Sequence, residues 1–247
     1  MPKMDQGVKC EPIGTGKGIF VSSHHTFGTD AVLLADFANA KAKDKLVDLG
    51  TGCGIIAFLM LRDNKCDTTY GVDISPEAIS LAEKTKAEYE FDNFIPVLSD
   101  LKDLKGKVPF GCHTLVTCNP PYKAPTAGLK NPDKVISVAR HEVECTLEDI
   151  VVVGAKLLQT GGRLCMCHRP ERLAELMSLM RQNKVEPKRL RLVCQREGIS
   201  PWLVLVEGRR CANTGLVIEP TLYVEDNNGN FSNEMLKIYG AYKEAYI

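Results

Sequence analysis

The chain has 247 residues, and its 31 Lys and Arg residues balance 31 Asp and Glu residues, so the formal net charge is zero. Hydrophobic residues account for 44% and charged residues for 25%, which excludes an intrinsically disordered chain. The sequence contains neither an apolar run of the roughly 18 residues that a membrane helix needs nor a signal-peptide core. We therefore expect a cytoplasmic protein without a membrane partner.

The first 28 residues are rich in glycine and predict a short hairpin or extension, with strands at 8–10 and 18–21. Residues 29–247 are predicted to form one domain. Beyond them, the apolar periodicity predicts helices that alternate with strands. The predicted strands are 45–49, 69–74, 95–98, 114–118 and 163–167, and the predicted helices are 31–40, 55–62, 76–91, 147–158 and 170–183.

This alternation is typical of a mostly parallel sheet covered by helices on both faces, the α/β doubly wound, Rossmann-like architecture. Two successive strand-like runs at 188–196 and 202–208 predict an antiparallel hairpin at the end of the sheet. A further strand-like run at 216–224 and a short helix capped by Ser232 complete the chain.

Polar and glycine residues predict where individual helices begin and end. Asp30 and Ser75 are expected to cap helices, and Pro76 suits the first helical position. Thr146 with Asp149 has the spacing of a capping box. Two glycines at 161–162 are expected to end the helix that this box begins.

The ten cysteines contain no pair at C-x-x-C spacing, so we predict neither a zinc nor a redox motif. Cys165 and Cys167 would share one face of a strand while His168 points to the other, so these three residues are not expected to hold a metal. We predict buried free thiols, chiefly at Cys112, Cys118, Cys165, Cys167 and Cys194.

A glycine-rich turn lies between the predicted strand 45–49 and the predicted helix 55–62. Its residues are Asp48, Gly50, Thr51, Gly52, Cys53 and Gly54, and the spacing G-x-G-x-G differs from the dinucleotide fingerprint. Taken alone, such a turn is as often a plain strand–helix connection. Asp73 and Asp100 follow the next two strands, and open α/β sheets bind ligands at such strand ends. Asp73 could accept hydrogen bonds from a ribose diol, and Asp100 from an adenine amino group.

A second signal follows the strand 114–118, in the sequence Asn119, Pro120, Pro121 and Tyr122. The side-chain oxygen of Asn119 and the carbonyl of Pro120 can accept the two hydrogens of an amino group, which leaves the nitrogen lone pair available for attack. Two prolines stiffen the turn, and Tyr122 offers a flat face for a planar substrate. The alternative, a proline-rich turn with an Asx cap, is common for Asn-Pro alone.

Through these two motifs, the chain resembles class I S-adenosylmethionine-dependent methyltransferases that modify amino groups. It is most similar to the bacterial family that methylates adenine N6 beside the anticodon of a valine tRNA. The resemblance runs through segments 29–35, 48–54, 119–122, 139–142, 168–173, 188–191, 203–207 and 234–240. It departs at 24–27, where His24 and His25 replace a run with Gly and Tyr or Phe.

The resemblance implies a seven-stranded sheet whose last hairpin strand is antiparallel, S-adenosylmethionine as cofactor, and tRNA as partner. It places the methionine moiety over 50–54 with Asp48 near its amino group, the ribose at Asp73 and the adenine at Asp100. The implied cofactor-binding residues are Asp48, Gly50, Thr51, Gly52, Gly54, Asp73, Ile74, Asp100, Leu101 and Asn119. The implied catalytic residues are Asn119, Pro120, Pro121 and Tyr122.

Several alternatives stay open at this stage. The same amino-group acceptors fit an rRNA or DNA base or a protein glutamine amide, and a non-catalytic RNA-binding subunit is a different class of function. The segment 181–210 contains eight basic residues and three glutamates. Arg189 and Arg191 could bind phosphates of a nucleic acid, or the segment could form an ordinary charged sheet edge. The loop 123–134 could lie over the target nucleotide. His141 could contact the substrate, but a network with Glu142 at the start of a helix is favoured. The oligomeric state stays open.

Overall fold

The computed structural model describes residues 7–63, 66–120 and 145–243. Its strands are β1 (Lys9–Gly14), β2 (Lys17–Val21), β3 (Lys45–Leu49), β4 (Thr68–Asp73), β5 (Phe94–Leu98), β6 (His113–Cys118), β7 (Leu158–His168), β8 (Val185–Cys194), β9 (Leu203–Arg210), β10 (Val217–Ile218) and β11 (Leu222–Tyr223). Its helices are α1 (Thr29–Ala38), α2 (Ile55–Arg62), α3 (Pro76–Glu88), α4 (Leu147–Leu157), α5 (Leu173–Gln182) and α6 (Asn233–Lys243).

The described residues form one large sheet with the strand order β10-β8-β9-β7-β6-β3-β4-β5, and β11 also pairs with β8. Strands β3 to β7 run parallel, whereas β9 is antiparallel to both β7 and β8. The doubly wound sheet with an antiparallel strand in its last hairpin is therefore confirmed. The two-residue strands β10 and β11 extend the seven expected strands on the β8 edge.

Both faces of the sheet are covered, which explains why its central strands are nearly continuous apolar runs. Leu46 and Leu115 belong to one buried cluster, whereas their chain neighbours Val47 and Val116 belong to a second. Successive residues of a strand point to opposite faces, so each strand contributes to both cores.

Most predicted helix starts are confirmed by their hydrogen bonds. The Ser75 hydroxyl accepts from the Ala78 N–H at 3.3 Å, ahead of Pro76. Thr146 and Asp149 form the complete capping box before α4. The Ser232 hydroxyl accepts from the N–H of the third residue after it at 3.2 Å.

Three local predictions are wrong. Asp30 does not cap α1, which begins at Thr29 with Gly28 as its N-cap, because the Asp30 side chain bonds within the first turn and to Asn119. The glycines at 161–162 do not end a helix: β7 begins at Leu158 and continues through them as the register shifts against β6. The segment 170–183 is a 3-10 turn followed by α5.

The hairpin β1–β2 packs on α3 and α6, and its residues Ile13, Ile19 and Val21 lie in the same core as α1 and α2. A domain boundary at residue 28 stays a prediction. Among the described residues, the structure contains no helix with the length and apolar character required to cross a bilayer.

Glu207 on β9 is 1% exposed and lies among three arginines. Its carboxylate is 3.6 Å from Arg163, 3.7 Å from Arg189 and 3.3 Å from Arg209. These ion pairs join the hairpin β8–β9 to β7. Because this carboxylate is buried, its removal leaves the neighbouring arginine charges without the negative group that pairs with them.

We therefore predict that Glu207→Ala lowers the free energy of unfolding by about 3 kcal/mol. The matched control is Glu83→Ala on the exposed side of α3, which should change it by less than about 0.5 kcal/mol. Urea unfolding followed by circular dichroism measures both. Equal losses in the two variants would contradict a stabilising role for the cluster.

Candidate active site

A cavity of about 300 Å³ lies at the carboxyl ends of β3, β4, β5 and β6. Seven residues predicted from the sequence line it, namely Gly50, Asp73, Ile74, Asp100, Leu101, Asn119 and Pro120. Leu49, Val72 and Ile150 add apolar surface, and Ser75, Ser99, Cys118 and Cys145 complete the wall with two histidines described below. The topology therefore brings the ends of four strands to one cavity, as the sequence predicted.

The glycine turn after β3 leaves one side of this cavity clear of side chains. Gly50 and Gly52 have φ angles of +69° and +56°, and nothing lies within 4 Å of the position that a Cβ would take at either residue. Gly54 has a φ of +92°, and a Cβ there would lie 2.4 Å from the Phe58 ring. Gly50, which lines the cavity, thus gives a ligand access to the backbone, whereas Gly54 is needed for packing against α2.

Asp48 lies beneath the cavity rather than in its wall. Its carboxylate is fully buried, and its two oxygens accept hydrogen bonds of 2.7 Å from the hydroxyls of Thr51 and Thr117. Burial raises the pKa of this carboxyl to about 6, although the two hydroxyls act in the opposite direction. Asp48 therefore ties the glycine turn to β6.

Asp73 contributes a carboxylate to the cavity wall. One oxygen accepts from the Gly52 N–H at 2.8 Å, and the other accepts from the Ser75 N–H at 2.9 Å. A carboxylate offers about four acceptor positions, so these bonds orient the group and still allow it to accept ribose hydroxyls. Thr51, Gly52 and Gly54 support the turn and do not appear among the described residues of the wall.

The far end of the cavity combines one carboxylate with apolar surface. Asp100 accepts from the Lys102 N–H at 2.8 Å, which fixes the turn after β5. Ile74 is 44% exposed and, with Leu101, lines the cavity beside Asp100. Apolar walls with a single polar group are typical of a site for a flat base.

Asn119 and Pro120 follow β6 in the cavity wall. The Asn119 amide nitrogen donates to Asp30 at 3.0 Å, and its oxygen accepts from the Cys167 thiol at 3.1 Å. Neither of these partners was predicted for Asn119. The predictions for Pro121, Tyr122, the loop 123–134 and residues 139–142 lie outside the described residues.

His24 and His25 line the cavity, and His24 is also largely exposed to solvent. The His25 Nε2 lies 3.0 Å from the Ser75 hydroxyl, and a Ser22 hydroxyl donates to Glu77 at 2.6 Å beside both histidines. That hydrogen bond is the main reason why the pKa of Glu77 is lowered. Only the departure from related sequences at 24–27 pointed to this segment.

Arg189 and Arg191, for which the sequence left open either phosphate binding or a charged sheet edge, form ion pairs within the protein. Arg189 forms ion pairs with Glu207 and Glu219, and its guanidinium stacks on Phe37. Arg191 binds Glu234 with two hydrogen bonds of 2.7 and 2.8 Å. Arg189 and Arg191 therefore belong to a structural ion-pair network, which favours the charged sheet edge over phosphate binding for these two residues.

All ten cysteines are free thiols, as the sequence predicted, although Cys112 is only partly buried. Cys118 and Cys145 lie in the cavity wall. Burial raises the pKa of Cys145 to about 11 and that of Cys118 well above its usual value. Both thiols therefore stay protonated and are poor nucleophiles at neutral pH.

The strand-end cavity brings together the glycine turn, Asp73 and the turn at Asn119 and Pro120, which are the features by which the chain resembles S-adenosylmethionine-dependent methyltransferases. The sequence model of the methyltransferase small domain matches residues 12–185, and the chain belongs to this family. Its methyl donor is S-adenosylmethionine.

Similar proteins in bacteria carry a more specific name. The chain is 28% identical over 224 residues to a tRNA1(Val) (adenine(37)-N6)-methyltransferase of Porphyromonas gingivalis, covering 85% of this chain and 86% of that protein. It is 31% identical over 185 residues to the protein of that name from Parabacteroides distasonis, covering 73% and 75%.

Solved structures share the fold at low sequence identity. A predicted O-methyltransferase from Agrobacterium tumefaciens has a TM-score of 0.68 at 18% identity, covering 87% of this chain and 97% of its own. TYW2 of M. jannaschii, solved in complex with AdoMet, has a TM-score of 0.57 at 12% identity, covering 84% and 88%.

The cavity suits S-adenosylmethionine in size and in chemistry. Its volume of about 300 Å³ lies at the lower end of the range of small-molecule sites. The space next to Gly50 that a Cβ would fill is clear, Asp73 supplies acceptors for hydroxyls, and Leu101 supplies apolar surface. The described residues thus fit the cofactor.

The buried Asp48 carboxyl gives a prediction about pH. Its pKa is about 6 in the folded chain and 3.8 ordinarily, so the carboxyl stays protonated to a higher pH in the folded state than in the unfolded state. The free energy of unfolding of the wild-type protein should therefore fall as the pH rises from about 4 to about 7. Asp48→Asn does not titrate at this position, so the wild type should lose about 3 kcal/mol relative to that variant over this range. Urea unfolding of both proteins across this range measures the difference. A difference that does not change with pH would contradict the raised pKa.

Proposed function

We propose that this methyltransferase transfers a methyl group to the N6 amino group of an adenosine in tRNA, with adenosine 37 of tRNA1(Val) as the substrate. The names of the relatives from Porphyromonas gingivalis and Parabacteroides distasonis support the substrate. The observation that carries the chemistry is the position of Asn119 and Pro120, which lie side by side in the wall of the cofactor cavity.

In this proposal, Gly50 and the turn after it receive the methionine moiety, Asp73 binds the ribose hydroxyls, and Asp100 with Leu101 receives the adenine of the cofactor. S-adenosylmethionine supplies a methyl group that its positively charged sulfonium already activates. The chain therefore has to place the acceptor nitrogen in line with that methyl group, and positioning supplies most of the catalysis.

Asn119 and Pro120 hold the amino group of the target adenine. The Asn119 side-chain oxygen and the Pro120 carbonyl each accept one N–H, which fixes the nitrogen and makes its lone pair more available. Its surplus proton can leave after the methyl group has been transferred, so no general base is required in the transition state. The target base has to leave its stack to reach the cavity, and we propose that Tyr122 stacks against it.

Other amino targets fit the same acceptors, so the relatives rather than the cavity favour tRNA. An rRNA base, a DNA base and a protein glutamine amide are the alternatives, and a non-catalytic RNA-binding subunit is the alternative outside the enzymes. A tRNA substrate also supports a cytoplasmic location.

We expect labelled methyl transfer from S-adenosylmethionine to unmodified total tRNA, with the label recovered as N6-methyladenosine after nuclease digestion. Calorimetry should detect cofactor binding in the same preparation. Cofactor binding without label in any tRNA nucleoside would contradict the tRNA substrate and favour another amino target.

Asn119→Ala should lower kcat for tRNA methylation by about 10²-fold, the typical loss for one preorganised hydrogen-bonding group. Asn213→Ala in an exposed loop is the matched control and should leave kcat near the wild-type value. Steady-state kinetics with saturating cofactor provides the comparison. Wild-type turnover in Asn119→Ala would rule out the role proposed for its amide.

A further inference from the structure

We propose that Asp30 and Cys167 are positioning residues for methyl transfer, which together determine which end of the Asn119 amide faces the substrate. This inference rests on the proposed function, in which the Asn119 oxygen accepts a hydrogen from the target amino group. The three residues come from α1, the turn after β6 and β7, which are far apart in the sequence.

The two side chains hold opposite ends of the Asn119 amide. Its Nδ2 donates to the Asp30 Oδ2 at 3.0 Å, and the Cys167 Sγ donates to its Oδ1 at 3.1 Å. Cys118, the last residue of β6, pairs with Met166 of the parallel strand β7, so Asn119, which follows β6, lies next to Cys167. The sheet register therefore brings the thiol to the amide oxygen.

The chemistry of the two partners selects one orientation of the amide. The oxygen and nitrogen ends of an amide have nearly the same shape, so packing alone discriminates poorly between them. A carboxylate such as Asp30 can only accept, and a thiol such as Cys167 can donate to a carbonyl. Rotating the Asn119 amide by 180° would set its oxygen against the carboxylate and would present N–H donors to a substrate that itself donates.

Asp30 is itself held before any substrate arrives. Its Oδ1 accepts from the Ala31 N–H at 3.0 Å, in the first turn of α1, where the helix dipole favours a negative charge. A Cβ at Gly28 would lie 2.7 Å from that oxygen, so the glycine leaves room for the carboxylate. The acceptor for the Asn119 nitrogen is thus preorganised by the backbone.

Cys167 supports the same orientation without competing for the substrate. Its side chain is fully buried, and it reaches Asn119 from the β7 side of the sheet. A carbonyl oxygen can accept two hydrogen bonds, so the thiol contact is compatible with a substrate N–H on the same atom.

Asp30→Ala should lower kcat for tRNA methylation by about tenfold or more, the factor that corresponds to losing one hydrogen bond to a charged group. The KM for S-adenosylmethionine should change less than about twofold, because the described residues that line the cavity do not include Asp30. Asp36→Ala, on the exposed side of the same helix, is the matched control and should retain the wild-type kcat.

A double-mutant cycle separates positioning from a merely structural role. If Asp30 acts only through Asn119, then adding Asp30→Ala to Asn119→Ala should change kcat by less than about twofold. A further tenfold loss in the Asn119→Ala background, or a kcat for Asp30→Ala within about twofold of wild type, would overturn the proposal.

Conservative variants keep the test decisive if Asp30→Ala does not fold. Asp30→Asn preserves the volume and removes the charge that discriminates between the amide ends, so its kcat should fall by about fivefold or more. Cys167→Ser keeps a donor and should retain more activity than Cys167→Ala. A wild-type kcat in Asp30→Asn, or equal activity of the two Cys167 variants, would contradict the proposal.

The wild-type reaction distinguishes this inference from the function on which it rests. If the wild-type protein forms no N6-methyladenosine in tRNA, both proposals fail. If it does, and Asp30→Ala keeps the wild-type rate, the proposed function stands and the positioning role alone is wrong.

Discussion

Two hydroxyl groups donate to the buried carboxylate of Asp48, and the rest of the cavity depends on these bonds. Thr51 belongs to the glycine turn and Thr117 to β6, so the Asp48 side chain on β3 sets the distance between the glycine turn and β6. Burial raises the pKa of Asp48 to about 6, which means that the carboxylate is costly and that its partners have to be in place. A residue that the sequence suggests as a cofactor ligand thus lies under the site and supports it.

The surrounding site repeats the same principle, in which each functional side chain is oriented by groups from another element. Asp73 is fixed by N–H groups of the glycine turn and of the segment before α3, and Asn119 by side chains of α1 and β7. Preorganised polar groups of this kind lose little entropy when the ligand binds, and they keep their orientation as charge moves during the reaction. The sheet supplies the spacing, and the hydrogen bonds between elements supply the orientation.

Features encoded by neighbouring residues could be predicted from the sequence, and features that depend on distant partners could not. The cap at Ser75 and the strand-end position of Asp73 follow from residues a few positions away. The role of Asp30 depends on Asn119, 89 residues later, and Arg191 is neutralised by Glu234, which comes 43 residues later. In the same way, β7 continues through Gly162 because the neighbouring strand β6 shifts its register there.

In the proposed reaction, Asn119 and Pro120 bind an exocyclic amino group of the target base. The most direct measurement compares full-length tRNA1(Val) transcripts that carry adenosine or inosine at position 37, because inosine has an oxygen in place of that amino group. We expect label from S-adenosylmethionine at N6 of the adenosine transcript and no label at position 37 of the inosine transcript. Equal labelling of both transcripts, or label on a ring nitrogen of the adenosine, would contradict it.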